Sequence, residues 1–364
     1  MRRLLTPIWL ILCISAALIW TGVGSSPAVA DGPPNAETTT DEVGGSSTGE
    51  SGPEDELTVT YLDVGQADAT LIQKGDIDIL VDAGRHYSAS LQEAMETITD
   101  SVDLMIITHP HADHYGGVAD LLGEHQVDRI VTNGERRGPP RDGDVPVTWR
   151  EFVDAVDTAD LELDNWSQGD TIDVTDHLSM DVLASGGDFD NTSDGTDINN
   201  DSLVLSVEFL ERRILLTGDI EVAGGRQLVR DHCRNGPDDC PGLDTDIFQV
   251  PHHGSHHFHP PFFEAADPDW AVFGSPYDNR QHHHPRIETL SALLDLDARI
   301  KSTNKDGGTD VAARIDTEGR ISWTVDNPEI FVWRTDTDPE TGKVCRVDTN
   351  ADGTNAACHR HTED

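Results

Sequence analysis
The sequence predicts an α/β fold whose chemistry sits on loops leaving the carboxyl ends of buried strands. Three observations lead there. The apolar run Val102-Asp103-Leu104-Met105-Ile106-Ile107 has the length of a buried strand, and Thr108-His109-Pro110-His111-Ala112-Asp113-His114 follows it directly. The same order recurs where Ile214-Leu215-Leu216 runs into Thr217-Gly218-Asp219, and where Phe248-Gln249-Val250 runs into Pro251-His252-His253-Gly254-Ser255. Strand and helix patterns alternate between these runs, as they do in sheets covered by helices, and open α/β sheets carry their sites at such strand ends.

The elements follow in order. Arg2 and Arg3, the apolar stretch from Ile8 to Trp20, and Ala28-Val29-Ala30 have the layout of an export signal over residues 1–30, with cleavage expected after Ala30. The apolar run is shorter than the ~20 residues that span a bilayer, which favours cleavage over anchorage. Residues 31–56 are Gly, Ser, Thr, Pro and acid with almost nothing apolar, so they read as a linker that cannot bury enough surface to fold. The folded domain is expected over 57–325. Leu57 to Leu62, Ala69 to Gln73 and Ile77 to Val81 read as an antiparallel meander with turns at Gly65 and Gly75. A helix at 89–98, the strand before His109, a helix at 117–122 and a strand at 129–132 come next. Residues 133–148 and the acidic stretch 186–200 read as loops. Strands at 203–209, 213–217, 246–250 and 270–273, with helices at 223–230 and 287–294, complete the domain. Residues 326–364 form a tail.

The formal net charge is −43, with 68 Asp and Glu against 25 Lys and Arg spread along the chain. This is the balance of a halophilic protein, because at 1 M salt the Debye length shrinks to about 3 Å and self-repulsion is screened. It also excludes the long basic stripe on which nucleic-acid affinity usually rests; the densest basic group is Arg136, Arg137 and Arg141, on a loop. With the signal removed, Cys233, Cys240, Cys345 and Cys358 remain. An even count in an exported chain points to two disulfides, and proximity favours Cys233 with Cys240 and Cys345 with Cys358 among three pairings. Between the last two, Asp348, Asn350 and Asp352 are spaced like the start of a calcium loop, although position twelve is His359 instead of Glu. Asn165-Trp166-Ser167 and Asn191-Thr192-Ser193 are glycosylation triplets.

Three imidazoles and a carboxylate within six residues serve no apolar core. Neutral imidazole and carboxylate are ligands for Zn, Mn or Fe, so this loop reads as a metal site. Asp219 could join it, although an Asp there also caps a following helix. His252, His253 and the His284-Pro285 pair offer ligands, proton donors or phosphate contacts, whereas His256, His257, His259, His282 and His283 read as incidental.

The ordered set Leu62-Asp63-Val64-Gly65-Gln66-Ala67-Asp68-Ala69, Val81-Asp82-Ala83-Gly84, THPHADHYGG, Asn200-Asp201-Ser202-Leu203, LLTGD, VPHHGS and His284-Pro285 resembles the metallo-β-lactamase superfamily. Within it, residues 57–325 resemble the hydrolase domain of ComEC-type DNA-uptake proteins and their stand-alone exported relatives. The resemblance implies an αββα sandwich, two mixed β-sheets with helices outside and two divalent metals, Zn or Mn, at one edge. It implies His109 and His111 as ligands of one metal, Asp113, His114 and His253 as ligands of the second, and Asp219 as the bridge. It further implies Asp82 as the buried acid bracing the metal loop, His284 beside the substrate, and Asp68, Asp201 and Ser255 as supporting or substrate-facing residues. Two departures stand out: Asn199-Asn200-Asp201 occupies the place of a third histidine, leaving the first metal to an amide or carboxylate oxygen or without it, and Ala67 replaces a glycine next to Asp68.

Two divalent ions sharing a water would lower its pKa toward about 7, which suits hydrolysis of a phosphodiester, single-stranded DNA being the implied partner. Asp113, His252 and His284 are the expected catalytic residues, with His252 or His284 protonating the leaving oxygen. A lactone, thioester or β-lactam remains an alternative substrate, and a non-catalytic, metal-stabilised surface-binding protein an alternative of another class. No transmembrane bundle follows the domain, so the chain alone is not expected to import DNA. It is expected outside the cell or tethered to its surface.

Overall fold
The computed structural model describes residues 55–99, 101–134, 147–185, 198–237, 239–275, 282, 284–303 and 310–325, with backbone alone for the strands at 332–337, 344–349 and 357–359. The expected signal, the linker up to residue 54, Arg136, Arg137, Arg141, His283, the Asn191 triplet, the Cys345–Cys358 pair and the calcium positions Asp348, Asn350 and Asp352 lie outside the described side chains.

The meander forms where the alternation places it. β1 (Leu57–Tyr61), β2 (Thr70–Lys74) and β3 (Ile77–Val81) pair antiparallel, Leu57 opposite Lys74 and Lys74 opposite Ile77. Ser88 caps α1 (Ala89–Ile98), its hydroxyl accepting the Leu91 amide at 3.3 Å. The chain then runs through β4 (Ser101–Val102), β5 (Leu104–Ile107), α2 (Val118–Glu124), β6 (Gln126–Val127) and β7 (Ile130–Thr132). β5 lies parallel to β3 on one side and to β7 on the other. The next helix, α3 (Val147–Thr158), begins inside the expected loop: Trp149, Phe152 and Val156 recur at helical spacing and bury around Tyr115. β8 (Leu163–Asn165) ends this half.

The second half repeats the plan. β9 (Thr171–Thr175), β10 (Leu178–Ala184), β11 (Val204–Phe209) and β12 (Arg212–Leu216) are antiparallel. Then α4 (Val222–His232), β13 (Ile247–Gln249), α5 (Pro260–Ala266), β14 (Trp270–Phe273), α6 (Ile287–Asp295) and β15 (Arg299–Ser302) continue with parallel strands. β16 (Val311–Ile315) and β17 (Ile321–Val325) return to the first sheet, β16 pairing with β1. The result is an eight-stranded mixed sheet, β17-β16-β1-β2-β3-β5-β7-β8, and a seven-stranded one, β15-β14-β13-β12-β11-β10-β9. β18 (Val332–Thr337), β19 (Val344–Thr349) and β20 (Ala357–His359) pair separately in the expected tail.

Period-two burial makes the layers. In β3 and β5, Ile79, Val81, Leu104 and Ile106 fill the core between the sheets, while Leu80, Met105 and Ile107 face the core beneath α1 to α3. In β12 and β13, Ile214, Leu216 and Ile247 enter the same central core, and Leu215 and Phe248 meet α4 to α6. This is the expected αββα sandwich. The halves also correspond at their ends: β3 and β12, each the last antiparallel strand of its run, deliver Asp82 and Asp219, and the adjacent parallel strands β5 and β13 deliver the histidine loops.

Cys233 and Cys240 are joined, as expected, closing a short loop after α4. Replacing both by Ser should lower the unfolding free energy by about 2 kcal/mol through loop-closure entropy. Urea titration with and without reductant reads that loss; identical midpoints would show that the bridge contributes nothing.

Candidate metal centre
The residue directly after β3, Asp82, takes a left-handed backbone, φ +59°, and points its carboxylate into the sandwich, 1% exposed. Oδ1 accepts the Thr108 amide and Oδ2 the Thr108 hydroxyl, each at 2.8 Å, and Oδ2 also accepts His114 Nδ1–H at 2.7 Å. Burial pushes this carboxyl up against the opposing pull of His114 and Thr108. The acid thereby fixes both the exit of β5 and one imidazole of the loop.

The hydrogen bonds also settle the histidine tautomers. His253 gives Nδ1–H to the Gly274 carbonyl at 2.9 Å. His109 Nδ1 lies 3.1 Å from the Thr108 hydroxyl and 3.2 Å from that of Ser202. Those hydroxyls spend their protons on Asp82 and on the Asn199 carbonyl, so both oxygens accept from His109. In neutral His109, His114 and His253 the Nε2 lone pair therefore faces inward.

All three face Asp219. Its Oδ1 lies 3.3 Å from His114 Nε2 and 3.7 Å from His253 Nε2, and its Oδ2 lies 3.8 Å from both His109 Nε2 and His252 Nε2. Gly218 makes this approach possible: φ is +51°, and a Cβ there would fall 2.8 Å from Ser202 Oγ. Gly218→Ala should consequently displace Asp219 and lower bound metal, measured by elemental analysis after dialysis; full occupancy would refute this account of the glycine.

Two groups of ligand atoms result, each within 4.8 Å: Asp68, His114, Asp219 and His253; and His109, His111 and Asp219. His111 Nδ1 converges on His109 Nε2 at 2.9 Å. In the first group, Asp68 Oδ2, His114 Nε2, Asp219 Oδ1 and His253 Nε2 are buried without a hydrogen-bond partner. Buried polar atoms are rarely left so, and a shared cation satisfies them together. Imidazole nitrogens and carboxylate oxygens in this proportion fit divalent ions.

The carboxylates set protonation as well. Burial opposes charge on His114 and His253, yet Asp219 and Asp82 raise His114 well above the usual histidine range, and Asp68 and Asp219 raise His253 to about 9. Burial and the neighbouring His114 hold His109 well below that range. Burial would raise Asp219, but His114, His253 and His252 hold it well below the usual carboxylate range. A centre drawing protons this strongly is one that a cation enters by displacing them.

At the rim, His252 and His253 both have left-handed backbones, φ +51° and +54°, which turn successive rings toward Asp219. His252 Nδ1 lies 3.1 Å from Glu221 Oε1, and Asp219 and Glu221 raise its pKa against burial. His284, before a cis proline, receives the Gln66 amide on Nδ1 at 3.2 Å, and burial with His253 and His252 pushes its pKa down to about 2. Arg85 Nη2 reaches Asp113 Oδ2 at 3.3 Å.

Several expected placements change. The Asn200 Oδ1 accepts the amides of Glu221 at 3.0 Å and Gly224 at 2.7 Å, capping the start of α4. Asn199 instead donates to Glu221 at 3.0 Å beside His252. Asp201 lies nearby, its carbonyl accepting Asn133 Nδ2 at 2.7 Å. The Ser255 hydroxyl accepts its own loop's His257 amide at 3.3 Å. Ala67 is fully buried without a left-handed backbone, so the turn before Asp68 needs no glycine. Asp113 lies outside both ligand groups, His253 Nε2 being 3.9 Å from its Oδ2, and Asp68 is inside one. Glu221, two residues beyond Asp219, was legible only as an acid near a helix start, and Gln66 and Arg85 had no signal of their own.

A family model described as Metallo-beta-lactamase superfamily matches residues 62–259. The chain belongs to the metallo-β-lactamase superfamily. Its described centre is accordingly that of a metal-dependent hydrolase family, with a His and Asp group able to bind metal ions. Among superfamily members it is similar to ComE operon protein 3 of Bacillus subtilis (strain 168), 27% identical over 272 residues, 68% of this chain and 32% of that protein. Competence protein ComA of Neisseria gonorrhoeae is 25% identical over 238 residues, 64% of this chain and 29% of that protein. The chain thus spans about a third of the length of these relatives. Similar solved structures include CmlA beta-hydroxylase, TM-score 0.42 at 13% identity over 68% of this chain and 52% of that one. A diphosphatase from the PhnP family gives TM-score 0.40 at 14% identity over 70% of this chain and 96% of that one. No helix among the described residues is long and apolar enough to cross a membrane.

Proposed function
We propose that this metallo-β-lactamase superfamily member is an exported, halophilic phosphodiesterase that cuts DNA, single strands foremost, with two divalent cations, Zn or Mn. The observation that carries the reading is Asp219, whose two oxygens face different histidine groups as a bridging carboxylate would. The substrate class is supported by the similarity to two proteins named for competence. Export is supported by the signal-like residues 1–30 and the Cys233–Cys240 bridge.

Cations held in the centre would polarise a phosphoryl group and lower the pKa of a water. The side chains supply the rest. Arg85, half-exposed beside Asp113, meets the incoming phosphate. Glu221 on Nδ1 fixes the His252 ring so that Nε2 delivers a proton to the leaving oxygen. Gln66 on Nδ1 of His284 leaves its Nε2–H as a neutral donor to a non-bridging oxygen.

Hydrolysis of bis-p-nitrophenyl phosphate and labelled single-stranded DNA by the purified protein in high salt, with Mn or Zn, tests this against His109→Ala and Asp113→Ala. Cleavage of both substrates that the variants lose supports it. Cleavage of neither by metal-loaded protein overturns it in favour of lactone or thioester hydrolysis. The net charge of −43 adds an expectation: DNA cleavage should rise with salt up to about 1 M, because screening relieves repulsion between two polyanions. A steady fall with salt, the usual behaviour of basic DNA-binding surfaces, would count against it.

A further inference from the structure
We infer that Tyr87 is a stacking platform for a base of the bound strand, next to the phosphate that Arg85 receives. The inference rests on the phosphodiesterase reading above and deepens it by naming what holds the strand.

The Tyr87 side chain is 76% exposed, more than any other large apolar side chain among the described residues. Its backbone is left-handed, φ +56°, a conformation that costs every residue carrying a Cβ. It stands third in a turn that the Ser88 amide closes on the Arg85 carbonyl at 3.2 Å, a position where Gly or Asn is usual. A tyrosine there buries little in return for that cost, and strain kept at an exposed ring beside a site points to function.

The ring is also braced. It lies against the His86 imidazole, with centroids 3.6 Å apart. That imidazole spans two helices: Nδ1 is 3.2 Å from Asp120 Oδ2 in α2, and Nε2 is 3.5 Å from Glu151 Oε2 in α3. Asp120 Oδ2 also accepts the Tyr87 amide at 2.7 Å. The turn is seated on the end of the histidine loop, where Gly116 leaves room for it, because a Cβ there would fall 2.6 Å from the His86 amide nitrogen. Arg85 is anchored beside the same loop, Nη2 3.3 Å from Asp113 Oδ2 and Nε donating to the Gln66 carbonyl at 2.9 Å. Guanidinium and ring are two residues apart, within about 7 Å along the chain, so a strand held at Arg85 by its phosphate can lay a neighbouring base on Tyr87.

The charge of the chain gives stacking its importance. With 68 acidic against 25 basic residues, little affinity for a strand can come from counterion release, and high salt weakens that contribution further. Every base has a π-face, so an aromatic ring holds a strand without sequence preference and without relying on charge. A duplex must first unstack its bases, which gives single strands the advantage.

Steady-state cleavage of a single-stranded oligonucleotide and of a uniformly abasic strand of the same length, by the full chain in high salt with Mn, tests the inference. The wild type should favour the base-bearing strand in KM. Tyr87→Ala and Tyr87→Gly should raise KM for that strand about 5- to 100-fold and for the abasic strand far less, whereas Tyr87→Phe should keep the preference. Tyr87→Gly relieves the left-handed turn and so controls for misfolding. Equal KM shifts on both strands, the mark of a merely structural ring, or no shift on either, overturn the inference. A metal-loaded wild type that cleaves neither strand overturns the phosphodiesterase reading itself, a failure distinct from the first.

Discussion

Replacing Asp219 by Ala should abolish turnover and empty both cation sites together. Among the described residues it is the one residue common to both ligand groups, and the four imidazole nitrogens facing its oxygens lie at 3.3 to 3.8 Å. Removing an outer partner of a metal ligand typically costs 10- to 100-fold in affinity or activity, so loss of a shared ligand should exceed about 100-fold. Bound metal and phosphodiester hydrolysis, measured on the same preparation, provide the check. Retention of both ions with unchanged rate would exclude Asp219 as the bridge. Loss of metal with retained attachment to a surface partner would instead mark a metal-stabilised binding protein.

The second large effect is expected at Asp82 and concerns folding. Asp82→Ala strands the Thr108 amide, the Thr108 hydroxyl and His114 Nδ1–H, all buried. Breaking a buried pair from one side costs about 3–5 kcal/mol, so this variant should be among the least stable single substitutions in the domain. Asp82→Asn keeps one acceptor and should lose about 1–3 kcal/mol. Urea unfolding in excess chelator isolates this from metal loss. Equal stability of Asp82→Ala and wild type would mean that the carboxylate braces nothing.

Much of the centre was legible because its residues lie in short runs attached to strands. The loop from His109 to His114, the Gly218-Asp219 pair and the His252-His253 pair each follow an apolar segment whose period announces its end. Asp82 was legible only through the resemblance carried by Val81-Asp82-Ala83-Gly84. The parts that sequence did not reveal depend on where separate loops cross. Asp68 joins His114, Asp219 and His253 because Gly274, about two hundred residues away, leaves space for it, and Glu221 matters because the left-handed backbone at His252 brings that ring alongside. Asn200 occupies a histidine's place yet turns to the α4 amides, a choice visible only once the helix start is fixed. Among the elements, α3 was hidden by the Gly, Pro and Arg preceding it, and the pairing of β16 with β1 joins segments too distant for local pattern to show.

The repeated plan of the two halves bears on the rate at which the molecule opens. Asp68, Asp82, His109, His111 and His114 come from the first run of strands, and Asp219, His252 and His253 from the second, so neither run can clasp an ion alone. A cation in the centre acts as a rivet through the sandwich, one that must be withdrawn before the sheets can part. The loaded protein should therefore gain its durability mainly as a slower unfolding rate, with refolding little accelerated, because the rivet can be set only after both runs have met.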